Sequence, residues 1–316
     1  MIRSSRIWPA ALLLAAVVGD PAAAADTPLA GNWKFKIVNN GGDGAIALVQ
    51  IETKDGKPAA NILAGPGLPP GATLEDVRVD GNSVSFNLKF QGNTGAVTAS
   101  APKGEDKAKA LRGTILLGTR LLFTELERTD QKELDAKDNS KQTPAGEALS
   151  KAFMTRDAGE REKLLKEVVD KFGDTTAGYA AAEILLPIQA KAGAKDDELR
   201  ALSDRMLKVA KDYGPLAEKH AIVGIAKTLT RAEKVSPLAA ELARKAEKSL
   251  TKDDPPALSE SVLKTLVSAL NKTGKADEAK EYSATLAKWF GVSAGNMSSV
   301  FPYLGRFATP DLGFMG

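Results

Sequence analysis

The chain predicts an α+β multidomain protein: a small antiparallel β-barrel of about eight strands, followed by an α-helical-hairpin repeat. Three observations predict it. Apolar residues alternate with polar ones from Gly31 to about Glu127, the two-residue period of strands with one buried face. Beyond position 143 the apolar period lengthens to three or four, as in helices that pack along one stripe. Finally, a segment of this second part recurs in pattern about 41 residues later.

The first element is an export signal. Arg3 and Arg6 precede the apolar run Ile7 to Val18, Asp20-Pro21 breaks the run, and Ala22 to Ala25 follow. A basic start, a short apolar stretch and small residues at the cleavage site predict removal after Ala24 or Ala25, so that residues 1–25 are the signal. A buried N-terminal helix is the other reading. The run is too short to span a bilayer, which needs ~20 residues. With no cysteine to carry a lipid, the product is expected free in solution outside the cytoplasm, in the periplasm or the medium.

Residues 26–129 form the strand-built domain. Trp33, Phe35 and Ile37 alternate with Lys34 and Lys36; Val84, Phe86, Leu88 and Phe90 alternate with Ser83, Ser85, Asn87 and Lys89. Asp55-Gly56 and Asp80-Gly81 separate such runs, and Asp-Gly adopts the positive φ values of tight hairpin turns. A further turn falls around Gly118. The eight predicted strands are 32–39, 45–53, 58–64, 73–79, 83–90, 94–100, 110–117 and 119–127. Short strands with turns between neighbours predict a meander that closes on itself and so hides its edges. "GPGLPPG" (65–71) is read as a loop crossing one barrel end, because proline supplies no ladder donor.

Gly31-Asn32-Trp33 resembles the first-strand G-x-W signature of the lipocalin/calycin group, although the second motif of that group is absent. The resemblance implies a lipocalin-like barrel whose tryptophan closes the floor beneath an arginine of the last strand, here Arg120 or Arg128. It also implies a seat for a small apolar ligand, lined by Trp33, Phe35, Phe86, Phe90 and Arg120. An eight-stranded barrel is just wide enough for side chains to fill. A filled interior and a hollow one therefore both stand.

"DQKELDAKDNSKQ" (130–142) is almost devoid of apolar residues and reads as a linker; Asp135 and Asp138 lack the alternating spacing of a calcium loop. Residues 143–290 follow as the helical repeat domain. Thr143-Pro144 supplies a cap and a first-turn proline, and Leu164, Leu165, Val168, Val169 and Phe172 make one stripe that Gly173 ends. Later starts are marked by Thr175/Thr176, Asp196, Gly214-Pro215, Ser236-Pro237 and Asp254-Pro255, and a stop by Gly274. Eight helices are predicted: 144–156, 159–172, 176–191, 197–212, 215–231, 237–251, 256–273 and 276–290.

"VVDKFGDTTAGYAAAEIL" (168–185) recurs as "VAKDYGPLAEKHAIVGIA" (209–226), and a second step puts Gly214-Pro215 on Pro255-Pro256. Each unit is a helical hairpin, and helices of ~15 residues persist by stacking rather than alone. "LNKTGKADEAKEYSATL" (270–286) resembles the second half of a tetratricopeptide unit, with Ala279 and Tyr282 on the packed face. A tetratricopeptide-like α-solenoid of four hairpins is the expectation, and a plain helical bundle the alternative. The tail, 291–316, is irregular and apolar, with Phe301, Tyr303, Phe307 and Phe314 but only Arg306 and Asp311 as charges. It reads either as a hydrophobic cap on the stack or as a domain cut short, by truncation or a shifted frame.

The whole arrangement resembles the front half of secreted proteins of planctomycete-type bacteria, in which a small β domain and helical repeats precede a thioredoxin-like domain. The C-x-x-C of that domain is missing, so the resemblance implies at most a truncated thiol–disulfide protein and carries no redox residue onto this chain.

Composition narrows the chemistry. Zero cysteines exclude disulfides, thiol nucleophiles and thiolate metal sites, and one histidine, His220, excludes paired-histidine metal motifs. His220 falls mid-helix, its repeat equivalent is Ser261, and it is read as structural. "GTILLGTR" (113–120) lacks the lysine and the helix of a phosphate loop. Glu125 and Glu127, two apart on one strand face, are read as a solvated edge that discourages strand pairing. A net charge of +3 on 83 ionised side chains demands neither nucleic acid nor an anionic surface as partner. No cofactor, metal or catalytic set is predicted. The expected function is that of an exported, non-enzymatic scaffold whose solenoid surface takes a protein or peptide. Carriage of a small apolar ligand in the barrel, or a redox protein lacking its redox domain, are the alternatives.

Overall fold

A computed structural model describes residues 28–102, 108–134, 142–232 and 236–290. The expected export signal (1–25), most of the expected linker and the apolar tail (291–316) lie outside the described residues. Eight strands come first: β1 Gly31–Ile37, β2 Ala45–Lys54, β3 Lys57–Ala64, β4 Thr73–Asp80, β5 Ser83–Phe90, β6 Asn93–Ser100, β7 Ala110–Leu117 and β8 Arg120–Thr129. Eight helices follow: α1 Pro144–Met154, α2 Ala158–Phe172, α3 Thr176–Lys191, α4 Asp196–Asp212, α5 Pro215–Arg231, α6 Pro237–Ser249, α7 Pro256–Lys272 and α8 Ala276–Phe290. Every end lies within two residues of its expected position.

The strands form one antiparallel sheet in the order β3-β2-β1-β8-β7-β6-β5-β4. It is a meander bent round so that the first strand pairs with the last, Trp33 opposite Arg128 and Phe35 opposite Leu126. The one seam in this nearly closed barrel lies between β3 and β4, and the loop 65–72 connects them. Gly67 of that loop donates to the Ile46 carbonyl of β2 at 3.0 Å. The turns follow glycine's tolerance of positive φ. Asp55-Gly56 and Gln91-Gly92 both have positive φ at the two turn positions, whereas at the β4–β5 turn only Gly81 does and Asp80 stays in the strand. Inside the barrel Trp33, Phe35, Val49, Ile51, Val84, Phe86, Leu88 and Ile115 form one buried cluster.

Helices begin where short polar side chains supply acceptors for the unpaired first-turn amides. Thr143 accepts from the Gly146 amide at 3.0 Å, Asp157 from Glu160 at 2.7 Å and Thr175 from Gly178 at 3.1 Å. The helices stack as successive hairpins, so that α1, α3, α5 and α7 form one layer and α2, α4, α6 and α8 the other. Ion pairs one repeat apart tie the second layer: Arg205 to Asp170, Lys208 to Asp174, Arg200 to Glu241 and Arg244 to Glu278.

The barrel and the helices are not two beads on a linker. The outer face of β8 packs on the odd-helix layer, and Val38 and Phe123 belong to the helical core rather than to the barrel's own. Phe123 meets Tyr179 edge-on at 5.0 Å and Tyr213 at 4.7 Å between ring centroids. The Tyr213 hydroxyl donates to Glu125 at 2.8 Å, and Arg112 of β7 reaches the same carboxylate at 3.3 Å. A one-turn 3-10 helix, Asn39–Gly41, wedges the β1–β2 connection against α1 and α3. Gly41 has φ +76°, and a Cβ there would lie 2.6 Å from the Gly146 backbone. The Thr143 amide and hydroxyl both donate to the Gly41 carbonyl, at 3.1 and 3.0 Å, and the Thr176 hydroxyl donates to that of Val38.

One expectation is corrected here. Glu125 and Glu127 do not guard an edge, because β8 is hydrogen-bonded on both sides. Glu125 is bound by Tyr213 and Arg112, while Glu127 and Asp43 hold Lys36, a lysine only 7% exposed, at 2.6 Å each. The barrel also covers part of the odd-helix layer.

Candidate functional site

The residues expected to line a ligand seat are dispersed or packed away. Trp33 and Phe35 are 0% exposed and Phe86 is 2% exposed, Phe35 and Phe86 touching edge-on at 6.0 Å between centroids. A water-sized void would leave exposed surface on these rings, and they have almost none; the barrel is filled by its own side chains. Phe90 is half-buried against the same cluster at the end of β5.

Arg128, not Arg120, covers the tryptophan. Its guanidinium carbon lies 4.4 Å from the centre of the Trp33 ring, within cation–π range. The guanidinium also donates to the carbonyls of Ala108, Ala30 and Pro28 at 3.2, 2.7 and 3.0 Å, while the Trp33 indole donates to Leu29 at 2.9 Å. Arg120 is exposed at the opposite end of β8. The register decides between them, because only Arg128 stands opposite Trp33.

The open space lies outside the barrel. A groove of about 660 Å³ runs between the β7–β8 turn and helices α5 and α7, a volume typical of ligand pockets. Gly118 and Thr119 form one lip. His220, Val223, Gly224, Lys227 and Arg231 come from α5; Leu258, Ser261, Lys264, Ser268 and Lys272 from α7. The repeat explains why they converge. His220 and Ser261 are equivalent positions 41 residues apart, so neighbouring odd helices present the same face to the same space.

Four cations, Lys227, Arg231, Lys264 and Lys272, line the groove against one carboxylate, Glu260. Glu260 pairs with Lys264 one turn along α7, and Lys272 donates to the Thr230 carbonyl of α5 at 2.8 Å. Lys227 and Arg231 have no hydrogen-bond or carboxylate partner among the described residues. Burial, and then the neighbouring Arg231, pull the Lys227 pKa below its ordinary range. His220 is held below its ordinary value by burial, against the opposing pull of Asp254, and its Nε2 has no partner among the described residues.

Beside the groove, Lys219 donates to both oxygens of Asp254 at 2.8 and 2.7 Å, a pair largely closed to solvent. Burial works to raise the Asp254 pKa, yet Lys219 and the Thr251 donors outweigh it and hold the carboxyl below its usual range. No group of three or more metal-ligating side chains occurs among the described residues, and no helix there is long and apolar enough to cross a membrane.

Sequence reasoning singled out His220 but not the cations around it. The available signal was the repeat itself, which puts Lys227 and Ser268, like His220 and Ser261, at matching positions. Comparison with protein-family models, curated proteins and solved structures finds no match.

Proposed function

We propose that the protein is an exported, non-enzymatic binding protein whose helical stack engages a segment of a protein or peptide in the groove bounded by the β7–β8 turn, α5 and α7. One observation carries this reading: beyond the part covered by the barrel, the odd-helix layer keeps an open groove lined by both apolar and charged side chains. Stacked helical hairpins commonly present such faces to extended partners. A filled barrel leaves the interior little room for cargo, which favours the groove over a lipocalin-like seat.

The test is site-directed photocross-linking in the full chain. p-Benzoylphenylalanine at Thr119, on the exposed lip, should yield a covalent protein or peptide adduct from extract of the source cells. The same group at Lys248, exposed on α6 of the other layer, should not. Equal yields from both positions, or none from Thr119, would refute the reading. The isolated helical fragment is unsuitable as bait, because removing the barrel bares the Tyr179 and Tyr213 rings that Phe123 covers.

A further inference from the structure

Resting on that reading, we infer that the groove selects an acidic segment, in which carboxylates meet Lys227, Arg231, Lys264 and Lys272 while intervening apolar side chains lie on Val223 and Leu258. Four observations converge on it.

The first is local charge. The chain is nearly neutral overall, but this groove is not, and its surplus is positive. The second is the contrast with the rest of the stack. Elsewhere several of its cations are matched across repeats, as Arg200 is by Glu241, Arg244 by Glu278 and Lys219 by Asp254. Lys227 and Arg231 lie one turn apart on the same helix, a spacing at which like charges repel, with no carboxylate against either among the described residues. A bound carboxylate would relieve both.

The third is spacing. Lys264 and Lys272 are eight residues apart on α7, about 12 Å along the helix. One anionic head cannot serve both, whereas a chain bearing several carboxylates can. The fourth is the space itself. Gly224 stands in the middle of α5, where glycine weakens a helix relative to alanine, and a Cβ there would meet nothing within 4 Å. Across from it α7 contributes the small Ser261 and Ser268. The absence of a side chain at 224 keeps the groove wide. Val223, Leu258 and Leu116 supply apolar lining, and the described lining holds no Phe, Tyr or Trp, only the His220 imidazole, as a platform on which a nucleotide base could stack. Peptide is therefore favoured over nucleic acid.

The experiment is fluorescence anisotropy on the full chain with labelled peptides of about twelve residues. One alternates pairs of Asp/Glu with Leu; a second replaces every acid by Gln, and a third by Lys. At low salt the acidic peptide should bind at least about tenfold more tightly than the Gln version, and the Lys version should not bind. The preference should shrink at high salt, where the Debye length falls to about 3 Å. Lys227→Gln with Arg231→Gln should weaken acidic binding at least about fivefold. Gly224→Trp should abolish it, while Gly224→Ala, which leaves the groove largely open, should retain it. Circular dichroism and the melting temperature confirm that each variant is folded.

If the Gln peptide binds as well as the acidic one and Gly224→Trp removes both, the groove is a binding site but the acidic selectivity is wrong. If acidic binding survives Gly224→Trp, it lies elsewhere and the inference fails. It fails too if the acidic peptide does not bind, or if a single-stranded oligonucleotide binds as tightly.

Discussion

Replacing Phe123 by alanine tests whether barrel and helices share one core. Phe123 is 5% exposed on the outer face of β8, between the rings of Tyr179 and Tyr213. Truncating a buried phenylalanine costs about 3–5 kcal/mol, of which each aromatic pair accounts for ~0.5–1.5 kcal/mol. The backbone of β8 stays paired to β1 and β7, so the barrel itself need not open. The loss falls instead on the coupling between the two halves. At roughly 2–4 °C per kcal/mol for a chain of this size, the joint melting transition should fall by roughly 6–20 °C. It should also broaden or split into a barrel step and a helical step. Differential scanning calorimetry, with near-ultraviolet and far-ultraviolet dichroism followed in parallel, reads both. A Phe123→Ala/Tyr179→Ala cycle should show coupling of about 0.5–1.5 kcal/mol. A single unsplit transition shifted by less than about 1 kcal/mol would show that β8 merely rests against the helices, and the reasoning would fall.

Other perturbations check separate parts of the structure. Gly41→Ala should destabilise the chain by roughly 2–4 kcal/mol in urea titration, combining left-handed strain with a collision against the Gly146 backbone. Gly224→Ala should do the opposite and add about 0.5–1 kcal/mol, since the new methyl meets nothing and the helix gains propensity. Lys219→Ala leaves Asp254 partly buried without its cation and should cost about 3–5 kcal/mol; loss below 1 kcal/mol would mean that water takes the lysine's place. His220 has a lowered folded pKa, so the folded state binds fewer protons than the unfolded one as the pH falls below 6.5. Its contribution is present above that value and lost below it. Urea midpoints between pH 8 and 5 should therefore decline less steeply in His220→Gln than in the parent.

The expected sheet, the helical hairpins and the turns were legible because they depend on local rhythm. Val84, Phe86 and Leu88 alternate with serines and asparagine whatever surrounds them, and Leu165, Val168 and Val169 make a stripe only on a helix. The meander and its closure followed from the turn residues between short strands. Even the convergence of His220 and Ser261 was implicit in the 41-residue repeat, though nothing in that repeat said that the space between them is left open.

What the amino-acid order alone determined, then, is which residues share a face. Which faces meet was decided only in three dimensions. Phe123 and Glu125 look like any outward pair on a strand, yet they hold the helices, because the β1–β2 turn docks between α1 and α3 and brings β8 against Tyr179 and Tyr213. Arg120 and Arg128 are equal candidates on paper, and strand register gives Trp33 to Arg128. A net charge of +3 conceals four cations gathered around one glycine. Periodicity is a property of neighbours along the chain, whereas docking and local charge depend on segments far apart in it.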